Sequence, residues 1–213
     1  MIKAIIFDMD GVLVDSEPIH IDIEKQQFLL NNLSISDEEH HQYMGVSAEI
    51  MWKTIAKRHT LTLPLNELIE QHRIESHRYF SELAEIPVMP GLVELLEKLK
   101  AKGYPMAVAS SSTPEIIELI LKKTHLEKYF QVMVSSQQAG KSKPEPDVFL
   151  LAGQKLGMLP EDCLVIEDST NGIKAALAAK MMCLAYQGPD TDPLTQKEAH
   201  TFVKNFAEVE WLL

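Results

Sequence analysis

The chain reads as an α/β protein, a Rossmann-like parallel sheet with helices on both faces, carrying an inserted α-helical cap. Three observations predict this. Short apolar runs rich in branched residues recur along the chain, helical stripes alternate with the later runs, and the gap after the first run is too long for one connection.

The runs are Ile2 to Phe7, Met106 to Ala109, Val132 to Val134, Cys163 to Ile166 and Met182 to Ala185. Continuous apolar character, without alternation, is expected of parallel strands buried on both faces. Leu92, Leu95, Leu96 and Leu99 make one helical stripe, and Ile116, Ile117, Ile120 and Leu121 make another. Lys102-Gly103 closes the first helix, while Thr113-Pro114 opens the second with a capping hydroxyl and a first-turn proline.

From Asp8 to Met106 the chain is about three times longer than the ~30 residues a strand-helix-strand unit needs. The surplus reads as three or four amphipathic helices, marked by Ile19 with Ile23, Ile50 and Met51 with Ile55, and Leu65 with Ile69, Phe80 and Leu83. Breaks are expected near Gly45 and Pro64. The expected division is a catalytic core of residues 1–15 and 88–213, with residues 16–87 as the cap.

The 213 residues can bury a substantial core without disulfides. Cys163 and Cys183 flank or lie in apolar runs and read as small buried hydrophobes. A net charge of -11 argues against nucleic acid or an anionic membrane as partner, since both need basic faces. No stretch approaches the ~20 apolar residues of a membrane span, and the first residues lack the pattern of a signal peptide. A cytoplasmic monomer is expected.

Ligands of an open parallel sheet bind beyond the carboxyl ends of its strands. Those ends carry Asp8-Met9-Asp10-Gly11, Ser110-Ser111-Ser112, Ser135 with Lys141 and Lys143 following, and Glu167-Asp168-Ser169. Several carboxylates cannot crowd together ionised without compensation, and a hard divalent cation with oxygen ligands supplies it. Mg2+ fits, because it commonly takes one or two carboxylates and completes its shell with water and phosphate. Lys143 adds positive charge, and Ser110 and Ser111, ahead of a helix N-terminus, can cradle phosphate oxygens. These groups point to phosphoryl transfer on a small phosphorylated metabolite.

The string Asp8-Met9-Asp10-Gly11-Val12-Leu13-Val14-Asp15-Ser16 resembles the first motif of the haloacid dehalogenase superfamily. Ser110 resembles the second motif, Lys143 in Lys143-Pro144-Glu145-Pro146-Asp147 the third, and Glu167-Asp168-Ser169 the fourth. The insertion resembles the helical cap of its beta-phosphoglucomutase-like subgroup. The resemblance implies that Asp8 attacks phosphorus and Asp10 serves as acid and base. For the acid role, either its surroundings raise the Asp10 pKa or the substrate brings the proton. It also implies that Asp8, the main-chain carbonyl of Asp10 and Asp168 hold Mg2+, with Glu167 as a further or outer ligand. His20 matches a histidine of the subgroup and is a candidate for steering sugar hydroxyls or protonation at Asp10.

Other signals lead elsewhere. Ala139-Gly140-Lys141-Ser142 imitates a P-loop but lacks the leading glycine and an immediate helix. His40-His41 lacks zinc-ligand spacing and reads as surface. A mutase would need a cation in the cap for a second phosphate, and Ala48 stands where the subgroup's mutase carries arginine; Arg58 and Arg73 are the possible substitutes. A phospho-aspartate signalling module would need neither the cap nor Asp10, a dehalogenase would need no metal, and a phosphonate hydrolase would draw a Schiff-base lysine from Lys25, Lys53 or Lys57. Phosphomonoester hydrolysis is the expected activity.

Overall fold

The computed structural model describes residues 1–43, 46–188 and 196–212. Its sheet has six parallel strands in the order β3-β2-β1-β4-β5-β6. They are β1 (Ala4–Phe7), β2 (Met106–Ser110), β3 (Val132–Ser135), β4 (Cys163–Glu167), β5 (Met182–Tyr186) and β6 (Thr201–Val203). Each of the five apolar runs thus marks a strand, and β2, β3 and β4 extend one residue past their runs onto the polar residues Ser110, Ser135 and Glu167. β6 was not expected. It is short and its Phe202 is exposed at the sheet edge, so the sequence shows no apolar run there.

Alternation along β1 sends Ile5 and Phe7 to one face and Ala4 and Ile6 to the other. The first face packs on the leucines of α5 (Leu92–Ala101) and the isoleucines of α6 (Pro114–Lys123). The second takes α8 (Asp147–Lys155) and α9 (Thr170–Ala178), whose small residues Ala152, Ala175 and Ala176 allow close approach. Thr113 caps α6 as its sequence implies, its Oγ1 accepting from Ile116 N–H. A short helix, α7 (Ser136–Ala139), follows β3 directly through a capping box at Ser135.

Four helices lie between β1 and α5: α1 (Glu17–Leu30), α2 (Asp37–His41), α3 (Ala48–Arg58) and α4 (Leu65–Glu82). Phe28, Tyr43, Met51, Trp52, Ile55 and Leu68 form an apolar cluster of their own among them. Pro64 stands at the start of α4, whereas the break expected near Gly45 lies outside the described residues. The histidine pair is not all surface. His41 is exposed, but His40 is buried and its Nε2 lies 2.5 Å from Glu24 Oε2, a contact between α2 and α1 without a local sequence signature.

The two connections to these helices run side by side. Asp15 N–H donates to Pro87 O at 2.9 Å and Met89 N–H to Leu13 O at 3.0 Å, with Val14 bridged to Val88. A third tie comes from α6. Lys123 Nζ donates to the carbonyls of Phe80, Ser81 and Leu83 at 2.9, 2.6 and 2.7 Å, capping the end of α4. Cations are favoured at a helix C-terminus, where carbonyls lack intrahelical partners. We expect Lys123→Met to lower stability by about 1–2 kcal/mol, the low range for charged hydrogen bonds at a partly exposed site. Urea unfolding measures this, and hydrogen exchange at residues 81–87 should quicken.

Candidate active site

The strand order reverses at β1, which has β2 on one side and β4 on the other, so the crevice beyond its carboxyl end is the expected ligand position. Asp8 follows β1 directly, anchored by its N–H donating to Ile166 O at 2.9 Å. The chain then folds into a tight loop in which Leu13 N–H donates to Met9 O and Gly11 N–H to Val14 O, both at 2.8 Å. Gly11 has φ +78°, and a Cβ there would fall 2.1 Å from Asp168 Oδ2. Only glycine lets this loop pass the β4 acid.

Asp8, Glu167 and Asp168 bring carboxylate oxygens within 4.8 Å of one another. Lys143 comes to them from the turn before α8, its Nζ 2.7 Å from both Asp8 Oδ1 and Glu167 Oε1 and 5.0 Å from the Phe149 ring centre. Lys143, Asp8 and Glu167 are all buried. The second Glu167 oxygen accepts from Ser169 N–H at 2.6 Å. Gly172 of α9 permits that arrangement, since a Cβ there would lie 1.5 Å from Glu167 Oε1.

This group holds more buried negative charge than one lysine balances. Burial pushes the Asp8 carboxyl well above its usual range against the opposing charge of Lys143, and Glu167 and Asp10 add repulsion. Asp168 is raised the same way, by burial first and then by Glu167 and Asp8. Lys143 is held above its usual range by Asp8 and Glu167 despite its own burial. Asp8 Oδ1 also lacks a hydrogen bond of proper angle although the ammonium is near. A hard divalent cation fits this acidic, oxygen-only set, because it would supply the missing charge and occupy unused oxygen lone pairs.

Asp10 has a separate set of partners. Ser16 Oγ donates to its Oδ1 at 2.5 Å, His20 Nε2 lies 3.1 Å from the same oxygen, and Ser112 and Ser110 Oγ donate to Oδ2 at 3.2 and 3.4 Å. Burial raises the Asp10 pKa, but the hydrogen bond and charge of His20 with the Ser16 and Ser112 hydroxyls outweigh it and bring it to about 2. The surroundings therefore do not raise this pKa, the first of the two routes expected from sequence. His20 is shifted up instead; burial works against this, but the bond to Asp10 and its charge prevail.

The sequence-derived residues fall into two adjoining groups. Asp8, Lys143, Glu167 and Asp168 surround one point, while Asp10, Ser110 and His20 form the second. Ser111 is half-buried between Ser110 and Ser112. Lys141 is exposed, and no helix starts until Asp147, which removes the P-loop reading. The turn at Pro144 and Pro146 is compact, with Glu145 N–H donating to Ser142 O. Three contacts were missed. Ser16 closes the first motif and Ser112 the serine run, so both stood within noted strings. Gln196 had no signal: its Nε2 donates to the carbonyls of Asp168 and Tyr186 at 2.5 and 2.8 Å, tying the acidic loop to β5.

The parallel sheet carries an acidic cluster and a buried lysine at its switch point, the frame of an α/β fold with a polar centre at the strand ends. The chain belongs to the haloacid dehalogenase-like hydrolase family, whose model matches residues 5–186. A phosphorylated carbohydrates phosphatase of Thermotoga maritima is 33% identical over 177 residues, covering 83% of this chain and 81% of that protein. Hexitol phosphatase B of Escherichia coli K12 is 31% identical over 191 residues, covering 89% and 85%. Among solved structures, CbbY of Rhodobacter sphaeroides in complex with xylulose 1,5-bisphosphate superposes with TM-score 0.87 at 25% identity, covering 98% and 96%.

Removing one partner from a buried ion group leaves an uncompensated charge and typically costs 3–5 kcal/mol. We expect Lys143→Met to destabilise the metal-free protein by about that amount in urea unfolding. A change under about 1 kcal/mol would mean that Lys143 does not balance the acids.

Proposed function

We propose that the chain is a magnesium-dependent phosphatase that hydrolyses a small sugar or polyol phosphate through an aspartyl-phosphate at Asp8. The observation that carries this is the placement of Asp8. It stands at the switch point between Lys143 and an acidic pair, with a second aspartate two residues on in its own hydrogen-bonded seat. The sugar-phosphate and polyol-phosphate readings draw support from the names of the relatives.

Asp8, Asp168 and the main-chain carbonyl of Asp10 would hold Mg2+. Glu167, with one oxygen on Lys143 and the other on Ser169 N–H, would stand behind them. Bound Mg2+ supplies positive charge against the phosphoryl oxygens and the crowded acids. A carboxylate oxygen of Asp8 forms a bond to phosphorus as the bond to the alcohol oxygen breaks. Lys143 and the β2 loop at Ser110 and Ser111 receive the phosphoryl oxygens.

The departing alkoxide needs a proton, which the hydrogen-bonded Asp10–His20 pair would supply. Asp10 passes it on, then takes a proton from the water that cleaves the acyl phosphate. The helices of residues 16–87 act as a cap that excludes other water during this step, with the paired connections at Val14 and Val88 as its hinge. The cytoplasm as compartment fits the two free buried thiols, Cys163 and Cys183. The working unit is a monomer.

Water rather than a second sugar position is the acceptor. Ala48 opens α3 and offers no charge, while Arg58 and Arg73 are exposed and paired with Glu39 and Glu70. Lys25, Lys53 and Lys57 are likewise exposed, the first two in ion pairs with Asp37 and Glu49, which leaves the phosphonate route without a buried lysine among its candidates.

Purified protein should release phosphate from phosphomonoesters with Mg2+ and stop when a chelator is added. Asp8→Asn should abolish turnover, and full activity in that variant would refute the mechanism. Asp10→Asn should lose ~10²- to 10⁴-fold on sugar phosphates and less on nitrophenyl phosphate, whose leaving group needs little protonation. From β-glucose 1-phosphate with a trace of the 1,6-bisphosphate, we expect free phosphate and little glucose 6-phosphate.

A further inference from the structure

The seam between α1 and α4 is polar where packed helices are ordinarily apolar. His20, Glu24 and Gln27 share one stripe of α1 at four- and three-residue spacing, and His72, Ser76 and Phe80 share one of α4. The helices run antiparallel: the His20 and Phe80 rings lie 5.3 Å apart, and Asn31 Nδ2 donates to Gln71 Oε1 at 3.3 Å. That register sets Glu24 level with Ser76 and Gln27 level with His72. Trp52 of α3 closes the far end, its ring 6.4 Å from His72.

Gln27 Oε1, Trp52 Nε1, His72 Nδ1 and Ser76 Oγ are buried and have no hydrogen-bond partner among the described residues. Buried side chains are rarely left so, and each such atom calls for a partner. The seam ends at His20, which contacts Asp10. Side-chain exposure is 27% at His20 and 17% at Glu24, and the residues Ser76 and His72 behind them keep only 6%.

The chemistry of the seam selects its occupant. Burial draws the His72 pKa down to about 4 against the pull of Glu24, so the ring is neutral. A neutral imidazole, a hydroxyl, an amide oxygen and a carboxylate suit alcohol hydroxyls, which both donate and accept. The nearby cations are engaged elsewhere: Arg73 pairs with Glu70, Arg78 with Glu75 and Glu82, and Lys25 with Asp37, all on exposed surface. Glu24 already holds His40 Nε2 at 2.5 Å through one oxygen, and a second phosphate or a carboxylate entering the seam would face the charge of that carboxylate.

We propose that the α1–α4 seam is a subsite for the uncharged, hydroxylated end of the substrate alcohol, read by Glu24, His72 and Ser76. It rests on the phosphatase reading only in placing the ester phosphate at Asp8. Specificity is then for a polyol or open sugar phosphate and against bisphosphates and phosphorylated carboxylic acids.

The test compares wild type with Ser76→Ala by kcat/KM on a hexitol phosphate and on nitrophenyl phosphate, which carries no hydroxyls. Binding of the hexitol phosphate is read separately from Trp52 emission, in Trp211→Phe protein with turnover stopped by Asp8→Asn. We expect Ser76→Ala to lower the ratio of hexitol to nitrophenyl kcat/KM about tenfold, mainly through KM, and to weaken the Trp52-detected binding by a similar factor. Glu24→Gln should raise kcat/KM for a sugar bisphosphate relative to the hexitol phosphate by about tenfold. Unchanged ratios in both variants, with Trp52 emission indifferent to the hexitol phosphate, would show that the seam holds only water and overturn the subsite. Loss of all phosphatase activity in wild type together with a Trp52 response that Ser76→Ala weakens would instead refute the hydrolase reading and leave the subsite standing.

Discussion

Burial of negative charge around Lys143 is the constraint on which the rest of the site depends. Asp8, Glu167 and Asp168 come from β1 and β4, neighbours in the sheet, so the fold forces their carboxylates together. Lys143 reaches two of them, and Ser169 N–H takes the remaining oxygen of Glu167. The two glycines follow from this crowding. Gly11 leaves room for Asp168 and Gly172 for Glu167, and a methyl group at either would overlap the acid. Gln196 fixes the same loop from below by holding the Asp168 carbonyl.

Asp10 shows how the same loop separates two acids by environment. It leaves Asp8 by two residues yet faces hydroxyls and His20 instead of Lys143. Its acidity at rest is therefore opposite to that of Asp8: the hydrogen-bonded acid is lowered to about 2 and the crowded acid is raised. Two of its partners, Ser16 and His20, stand at or just inside the inserted helices, so movement of those helices changes what Asp10 touches. Lys123 and the Val14–Val88 bridge tie those helices to the sheet.

Much of this was legible in the sequence because parallel strands buried on both faces leave unbroken apolar runs, and their polar ends mark the rim. Asp8, Ser110, Glu167 and Asp168 could be located by that rule alone. Lys143, in the loop after β3, is one of two lysines there, and the family motif it resembles agrees with its choice over Lys141. β6 escaped because Thr201–Val203 is too short and too exposed to show a run. Glu24 with His40 and Gln196 with Asp168 escaped for another reason: such contacts join residues distant in sequence and leave no spacing to read. The Asp10 pKa depends on three side chains converging, His20, Ser16 and Ser112, which a sequence position does not encode.

The central claim is that Asp8 carries the phosphoryl group as an acyl phosphate. Borohydride reduction of the protein during steady-state turnover, followed by peptide mass analysis, tests it most directly, since an acyl phosphate is reduced to an alcohol and a free carboxylate is not. The account requires the reduced residue to be Asp8, with the signal dependent on substrate and absent in Asp8→Asn. Reduction at another acid, or turnover at full rate with Asp8 never reduced, would contradict it.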